Sequence, residues 1–288
     1  MNRLVPALVF AFLLGQGAVA QDYTVRLQRA LNPGDEMQVF LMGRKTQSTV
    51  ITVNGAKQKE ARMELNAQLD GTEKVLAVDG NGKETKTEIT VRRMTFAVNG
   101  GAPLEILLKG TVISCWVDGK KQVYFVDGKA VSADVAKVLD MVVDLSEGEP
   151  SKDEDFGATE QKKKGDTWDV NATAVKRALE NGDSSYEFDH IAGKVSLDDV
   201  TDAGMKVSAR FTGNVKLLPP PGFTIDKGTI DAAYTQLLPP ETSKYQTGDS
   251  EEIVITFTAV PLTPGDKGKS VAKTTLEKSL TRNFAPAK

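Results

Sequence analysis

Few residues in this chain of 288 can do acid–base, nucleophilic or metal chemistry, for it holds one His and one Cys. The imidazole is His190, within Tyr186-Glu187-Phe188-Asp189-His190-Ile191, where strand alternation sets it on the face of Tyr186 and Phe188 with Asp189 opposite. A hydrolytic triad needs a nucleophile, a base and an orienting acid, and no G-x-S-x-G segment supplies the nucleophile elbow. His190 is therefore expected to be an ordinary strand-end histidine. One His excludes paired-His metal motifs, and one Cys excludes a disulfide framework and a Cys-rich zinc site. Cys115 lies in Val112-Ile113-Ser114-Cys115-Trp116-Val117, where alternation places it beside Ile113 and Val117 as a small buried hydrophobe. Intermolecular pairing of this odd thiol is the sharper alternative.

Carboxylates remain. Asp198, Asp199 and Asp202 fall in one polar turn spanning 198–204, and Asp153, Glu154 and Asp155 in a charged connector spanning 151–165. Both groups are expected in water on loops. Weak Ca²⁺ binding at Asp198/Asp199/Asp202 is the alternative, since calcium takes several carboxylate and carbonyl oxygens. Asp79-Gly80-Asn81 opens like a calcium loop, but Lys83 and Glu84 follow where ligand spacing would have to continue, so it reads as a hairpin. Walker A and dinucleotide fingerprints are absent. No catalytic, cofactor or metal residue is assigned, no cofactor is expected, and the chain is expected not to be an enzyme. With 36 basic against 39 acidic residues and a net charge of -3, no nucleic acid is expected as partner. Gln161-Lys162-Lys163-Lys164, beside the acidic run, reads as a solvated linker, or as a contact for an anionic surface or head group.

The elements that would carry these residues are mostly strands. Met63, Leu65, Ala67 and Leu69 alternate with Glu64, Asn66 and Gln68, as do Met205 to Phe211 and Ile253 to Ala259, the pattern of antiparallel sheet covered on one face. Asn54-Gly55, Asp79-Gly80-Asn81-Gly82 and Asp118-Gly119 mark hairpin turns. The alternation slips phase at Arg92-Arg93, where an extra residue would make a β-bulge. Ser132 caps a helix predicted over 132–145 whose stripe is Val135, Val138, Leu139, Val142 and Val143. A shorter helix runs from a cap at Asn171 to Asn181-Gly182, so Asn171-Ala172-Thr173 reads as a cap more than as a glycosylation sequon. Gly34-Asp35-Glu36-Met37 and Gly165-Asp166-Thr167-Trp168 open two stretches of similar plan, by duplication or by chance. The Leu-Leu-Pro runs at 217–221 and 237–240 are expected to end strands, with a polyproline ligand as the alternative.

Residues 1–20 read as a secretory signal peptide: Arg3, an apolar stretch over 4–14, and Ala18-Val19-Ala20 for cleavage. No later stretch is long and apolar enough for a transmembrane helix, so no transmembrane span is expected after signal removal. The expected plan is then 21–150 as an N-terminal β half, 151–263 as a C-terminal β half, and 264–288 as a polar tail that is mobile, a last strand or a helix. The fold class is mainly β: a curved antiparallel sheet or open barrel, as one unit or two related halves, with one or two short helices packed on it.

With its signal peptide, its run of hairpins and the 132–145 helix between strands, the chain resembles the lipoprotein-carrier type of bacterial envelope protein. The paired Gly34-Asp35 and Gly165-Asp166 openings look like those of uncharacterised exported bacterial β proteins. Carriers of that type are half-barrels with helices lidding an apolar hollow. The resemblance implies a periplasmic or extracellular, bacterial location and a lipid or another envelope protein as partner. The candidate ligand-lining residues between helix and sheet are Val135, Val138, Leu139 and Val142, which would equally serve as plain core. A structural or protein-interaction module with a filled core is the second expectation, and a carboxylate-based enzyme, which would need two acids converging in a cleft, is the third.

Overall fold

The computed structural model describes residues 22–28, 31–119, 121–145, 147, 150–182, 186–202, 204–217, 223–238, 248–261 and 270–286. The signal peptide and the prolines of both Leu-Leu-Pro runs lie outside the described residues. The strands are β1 (Glu36–Val53), β2 (Ala56–Val78), β3 (Glu84–Val98), β4 (Leu104–Leu107), β5 (Val112–Asp118), β6 (Lys121–Val126), β7 (Lys129–Ala130), β8 (Thr167–Asp169), β9 (Tyr186–Thr201), β10 (Gly204–Leu217), β11 (Phe223–Leu238), β12 (Gly248–Pro261) and β13 (Ser270–Pro286). They form one antiparallel sheet of 13 strands in the order β7-β6-β5-β3-β2-β1-β13-β12-β11-β10-β9-β8, with β4 beside β3. The sheet is curved and open, its edges being β7 and β8. The tail supplies a central strand: β13 pairs along all of β1, from Met37↔Pro286 to Val53↔Ser270, and with β12 on its other side.

The two Gly-Asp openings match in hydrogen-bond detail. Gly34 and Gly165 take φ of 95° and 89°, a left-handed conformation open to glycine at little cost. Asn32 N–H donates to Asp35 Oδ2 (2.9 Å) and Lys163 N–H to Asp166 Oδ2 (2.8 Å). Gly34 N–H donates to Val75 O (2.8 Å) and Gly165 N–H to Leu197 O (2.7 Å), so each turn docks on the strand that pairs with the one it opens. Strand continuity supplies the rest: β8 to β13 and then β1 to β7 make one up-and-down meander whose middle joins the chain's late and early strands.

Of the register shifts in the sheet, three bear on residues singled out from sequence. Asp70 pairs Arg93 while Gly71 pairs Val91, so Arg92 is the extra residue the phase slip marks. Asp198 is extra between the Lys206↔Asp199 and Val207↔Leu197 pairs. The third bulge corrects the placement of His190: β9 runs on to Thr201, and His190 sits in an interruption of the register with φ of 52°, its side chain exposed.

The first helix is shorter than its stripe suggests. Helix α1 (Ala133–Leu139) is capped by Ser132, whose Oγ accepts from Val135 N–H at 3.3 Å, and it stops at Asp140. The residues beyond turn over the helix end, Val142 and Val143 N–H donating to Leu139 O at 2.9 and 2.8 Å, and also bind the sheet. Tyr124 OH donates to Asp140 Oδ1 (2.7 Å), and Leu145 N–H donates to Gln122 Oε1 (2.8 Å). The connector is not a bare linker: α2 (Lys152–Phe156) carries a capping box between Ser151 and Glu154 and buries Asp155 and Phe156. Helix α3 (Ala172–Gly182) starts at Asn171, whose side chain accepts from Ala174 N–H.

The helices and the strap 22–28 cover one face of the sheet, called inner here, in two cores. Val138, Leu139, Val142 and Val143 pack on Val39, Leu41, Leu69, Ile89 and Met94, with Cys115 buried among them. Val25, Leu27, Phe156 and Val175 pack on Val195, Val207, Phe211 and Tyr234. The chain thus crosses the boundary expected at 150, since 22–28 docks on the late strands: Gln236 Nε2 donates to Leu27 O (2.7 Å) and Tyr234 OH to Gln236 Oε1 (2.6 Å). Gly43 of β1 takes the turn after α1, and a Cβ there would lie 2.1 Å from Met141 O. Gly43→Ala is accordingly expected to lower stability by ~2 kcal/mol, the scale of overpacking a core, read as a lower urea midpoint.

Candidate functional site

Cross-strand register maps the inner face in rows. One row runs Leu69–Leu41–Arg282–Asp249–Gln236–Val207, and the next Ala67–Gly43–Leu280–Glu251–Tyr234–Ala209. Below lie Leu65–Lys45–Lys278–Ile253–Ala232–Phe211 and Met63–Gln47–Leu276–Ile255–Ile230–Gly213, then Ala61–Thr49–Thr274–Phe257–Gly228. The lid covers the first two rows. The later rows leave it behind over β2, β1, β13 and β12.

Under the lid, where the two cores meet, is a charged seam. Arg282 Nε and Nη2 donate to the two carboxylate oxygens of Asp249 at 2.8 and 2.7 Å, and Nη1 donates to Asp144 Oδ2 at 2.8 Å. One guanidinium therefore ties β13 to β12 and to the lid segment after α1. A planar fork suits this two-carboxylate geometry. A cavity of about 140 Å³ opens beside it, lined among others by Glu73, Glu84, Asp144, Lys152, Asp155 and Arg282. Burial would raise the Asp144 carboxyl, but Arg282, Lys83 and neighbouring lysines outweigh it and hold it well below the usual range. Burial would lower Lys152, but Glu251, Asp155 and Asp144 outweigh it and raise its pKa; its ammonium lies over the Phe156 and Tyr234 rings at 5.6 and 5.2 Å. Burial, then the charge of Glu84, pushes Glu73 up to about 8; burial also raises Glu84. Burial pushes Asp155 up to about 6, and its Oδ1 has no hydrogen-bond partner among the described residues.

Two converging acids with raised pKa are what carboxylate catalysis uses. The volume is the counter-argument: 140 Å³ holds a few waters, whereas sites for organic ligands run to roughly 300–1,000 Å³.

Of the residues singled out from sequence, Val142 and Asp155 line this cavity. Val138, Leu139 and Val142 are buried in the first core and Val135 is partly buried against it; of the four only Val142 lines the cavity. Asp198 and Asp199 are on β9, not in a turn. Asp198 accepts from Ser196 and Ser208 Oγ, both at 2.5 Å, and Asp199 meets Lys164 Nζ at 2.6 Å, which holds its carboxyl below the ordinary value. No group of three or more acidic, His or Cys ligands forms among the described residues. Asp155 corrects the expectation of a solvated acidic run, being 2% exposed. Cys115 is 0% exposed, and burial, then the charge of Glu73, pushes its thiol up to about 12, so it stands as a packed hydrophobe.

Below the seam the inner face of β2, β1, β13 and β12 extends beyond the lid, with Ile255 against the margin of the second core and Thr274 buried at 6% exposure. Leu65, Ile51, Leu276, Ile255 and Phe257 are half-buried there, and Met63 and Val98 are 42% and 45% exposed. The opposite, outer face of β13 and β12 is mostly polar, reading Val271, Lys273, Thr275, Glu277, Ser279 and Thr281 on β13 and Ser250, Glu252, Val254, Thr256, Thr258 and Val260 on β12. The sheet is open where a membrane-spanning barrel closes. No helix among the described residues is long and apolar enough to cross a membrane.

No family model and no curated protein matches this chain. Among solved structures it is similar to lipovitellin, described for its lipid–protein interactions, at 7% identity and a TM-score of 0.38 over 90% of this chain. The match spans 26% of the lipovitellin chain. It is also similar to two proteins of Pseudomonas aeruginosa. The outer membrane protein OprG matches at 8% identity and a TM-score of 0.20, over 88% of this chain and 96% of that one. OpdQ matches at 8% identity and 0.20, over 89% and 100%.

Proposed function

We propose that this is an exported, non-catalytic envelope protein that holds an amphipathic, lipid-like molecule on the uncovered part of its inner face. The observation that carries the reading is the group of apolar residues Leu65, Met63, Leu276, Ile255 and Phe257, half-buried or exposed over three successive rows beside the lid, on strands whose outer face is mostly polar. Contiguous exposed apolar surface is costly to keep in water and marks a binding surface. The ligand lies beyond the lid rather than between α1 and the sheet, where the core is full. Export rests on the signal peptide read at 1–20. The carrier-type resemblance fits this plan, with the lid confined to the upper rows.

A test begins with protein unfolded in guanidinium, stripped of bound lipid and refolded. Titration with the uncharged dye 1-N-phenylnaphthylamine is expected to give saturable fluorescence enhancement, displaced by a long-chain lipid. Absence of saturable uptake by correctly refolded protein would overturn the proposal. The two solid cores would then favour the second reading, a structural or protein-interaction module that presents this face to another protein.

A further inference from the structure

The row at the mouth of the lid holds two like charges side by side. Lys45 of β1 and Lys278 of β13 are register partners, and both point to the inner face, for they share parity with buried Leu41 and Leu280. Lys278 also lies close enough to Asp144 of the lid to lower its pKa, which fixes it on the lid side. Directly opposed like charges on an antiparallel pair destabilise it. No ion pair engages either lysine among the described residues. Asp144 of the seam above is held by Arg282 at 2.8 Å. The outer face shows the contrast, where Arg44 of β1 meets Glu64 of β2 at 3.2 Å and Arg92 of β3 meets Asp70 of β2 at 2.7 Å.

We propose that the occupant of the uncovered inner face is an anionic amphiphile, whose head group lies between Lys45 and Lys278 and whose chain runs along Leu276, Ile255 and Phe257. This inference rests on the ligand-holding reading above. Its own content is the sign of the head group. Two ammonium groups across one strand pair supply up to six donors to carboxylate or phosphate oxygens, and a bound anion relieves their repulsion. The next rows away from the lid turn apolar, with Leu276 and Ile255 adjacent, then Phe257, then Ala272 and Ala259. Head group at the lid mouth and chain toward the hairpin end is the orientation this order of residues fixes. A fatty acid and an acidic phospholipid share this chemistry, one anionic head on an acyl chain.

The experiment compares oleate, oleoyl-phosphatidate and the uncharged monoolein as displacers of a bound apolar dye, for wild type and for Lys45→Gln/Lys278→Gln. Both lysines are exposed, so the variant is expected to fold, with far-UV circular dichroism as the check. Wild type is expected to bind the anionic chains about tenfold more tightly than monoolein, a preference that shrinks in 0.5 M salt through screening. The variant is expected to lose the preference while keeping its affinity for monoolein. Oleate and oleoyl-phosphatidate as separate arms tell the carboxylate from the phosphate source. Equal affinity of wild type for charged and uncharged chains, or a preference untouched by the double substitution, would overturn the head-group assignment and leave the ligand-holding reading standing. Failure of all three to displace dye would overturn both.

Discussion

Arg282→Met is expected to cost about 3–5 kcal/mol of stability, the scale for removing one member of a buried ion pair and leaving its partner charge unpaired. The arginine side chain is 15% exposed and that of Asp249 5%, so water does little to take over the lost bonds. Of the two carboxylates, Asp249 suffers most, because Asp144 keeps 39% exposure and can be solvated. Arg282→Met/Asp249→Leu is therefore expected to recover at least half of the loss, since replacing a buried pair by apolar groups of similar size is near neutral. Urea unfolding of wild type, both single variants and the double variant closes a mutant cycle that isolates the coupling. Hydrogen exchange supplies a second reading. Loss of the Asp144 bond frees the segment after α1, so the Leu145 amide, bonded to Gln122, is expected to exchange faster in Arg282→Met than amides at the centre of β2. A single variant no less stable than a surface substitution would remove the seam as a structural element.

The seam's charges left a signal in the sequence that alternation alone makes visible. Glu73 follows Leu69 and Gly71 and precedes Val75 on the apolar parity of β2; Arg282 stands between Leu280 and Phe284, and Lys278 between Leu276 and Leu280. A charge on the buried parity of a strand is either paired or functional. What alternation cannot give is which of these charges meet, because that depends on β1 pairing with β13, strands at opposite ends of the chain. The strand class, the hairpin turns, the bulge at Arg92 and the Ser132 and Asn171 caps were legible because each is decided within a few residues. Helix α1 was over-extended since its stripe continues to Val143 while Asp140, Asp144 and Leu145 are claimed by tertiary bonds. Asp155 was read as solvated, although Ser151 and Glu154 spell a capping box next to Phe156, and that pairing marks a helix with a buried side. The tail's strand is ambiguous in the sequence for a related reason: its inner parity carries Thr274, Lys278 and Arg282 among the apolar residues, which blurs the alternation.

Stability is expected to fall as pH rises from 5 to 8, opposite to the behaviour of a protein held by ordinary ion pairs. Glu73 binds its proton more tightly folded, with a pKa near 8 caused by burial and then by Glu84, than unfolded near 4.5. Between those values the native state holds more protons than the unfolded chain, so the slope of unfolding free energy against pH is negative. Its contribution is complete below pH 4.5 and gone above 8. Asp155, raised from 3.8 to about 6, adds the same sign over its own window. Asp144 has the reverse sign: held low by Arg282, it stabilises above its unfolded value of 3.8 and that contribution is lost as pH falls further. The two trends set a maximum in mildly acidic solution. Each tenfold gain in proton affinity on folding is worth about 1.4 kcal/mol. The basic limb is therefore expected to lose at least ~2 kcal/mol by pH 8, and Glu73→Gln, which keeps the shape without the charge, should flatten most of it. Urea midpoints for wild type and Glu73→Gln at pH 5, 6.5 and 8 decide the matter. Parallel curves for the two proteins would mean that Glu73 is ionised in the fold and that the seam neutralises it through Arg282 or Lys152. Convergence at pH 5 with divergence at pH 8 would instead place a neutral carboxyl beside Arg282. The lid would then be held by one guanidinium between Asp249 and Asp144, with a proton on Glu73 offsetting the surplus negative charge around the cavity.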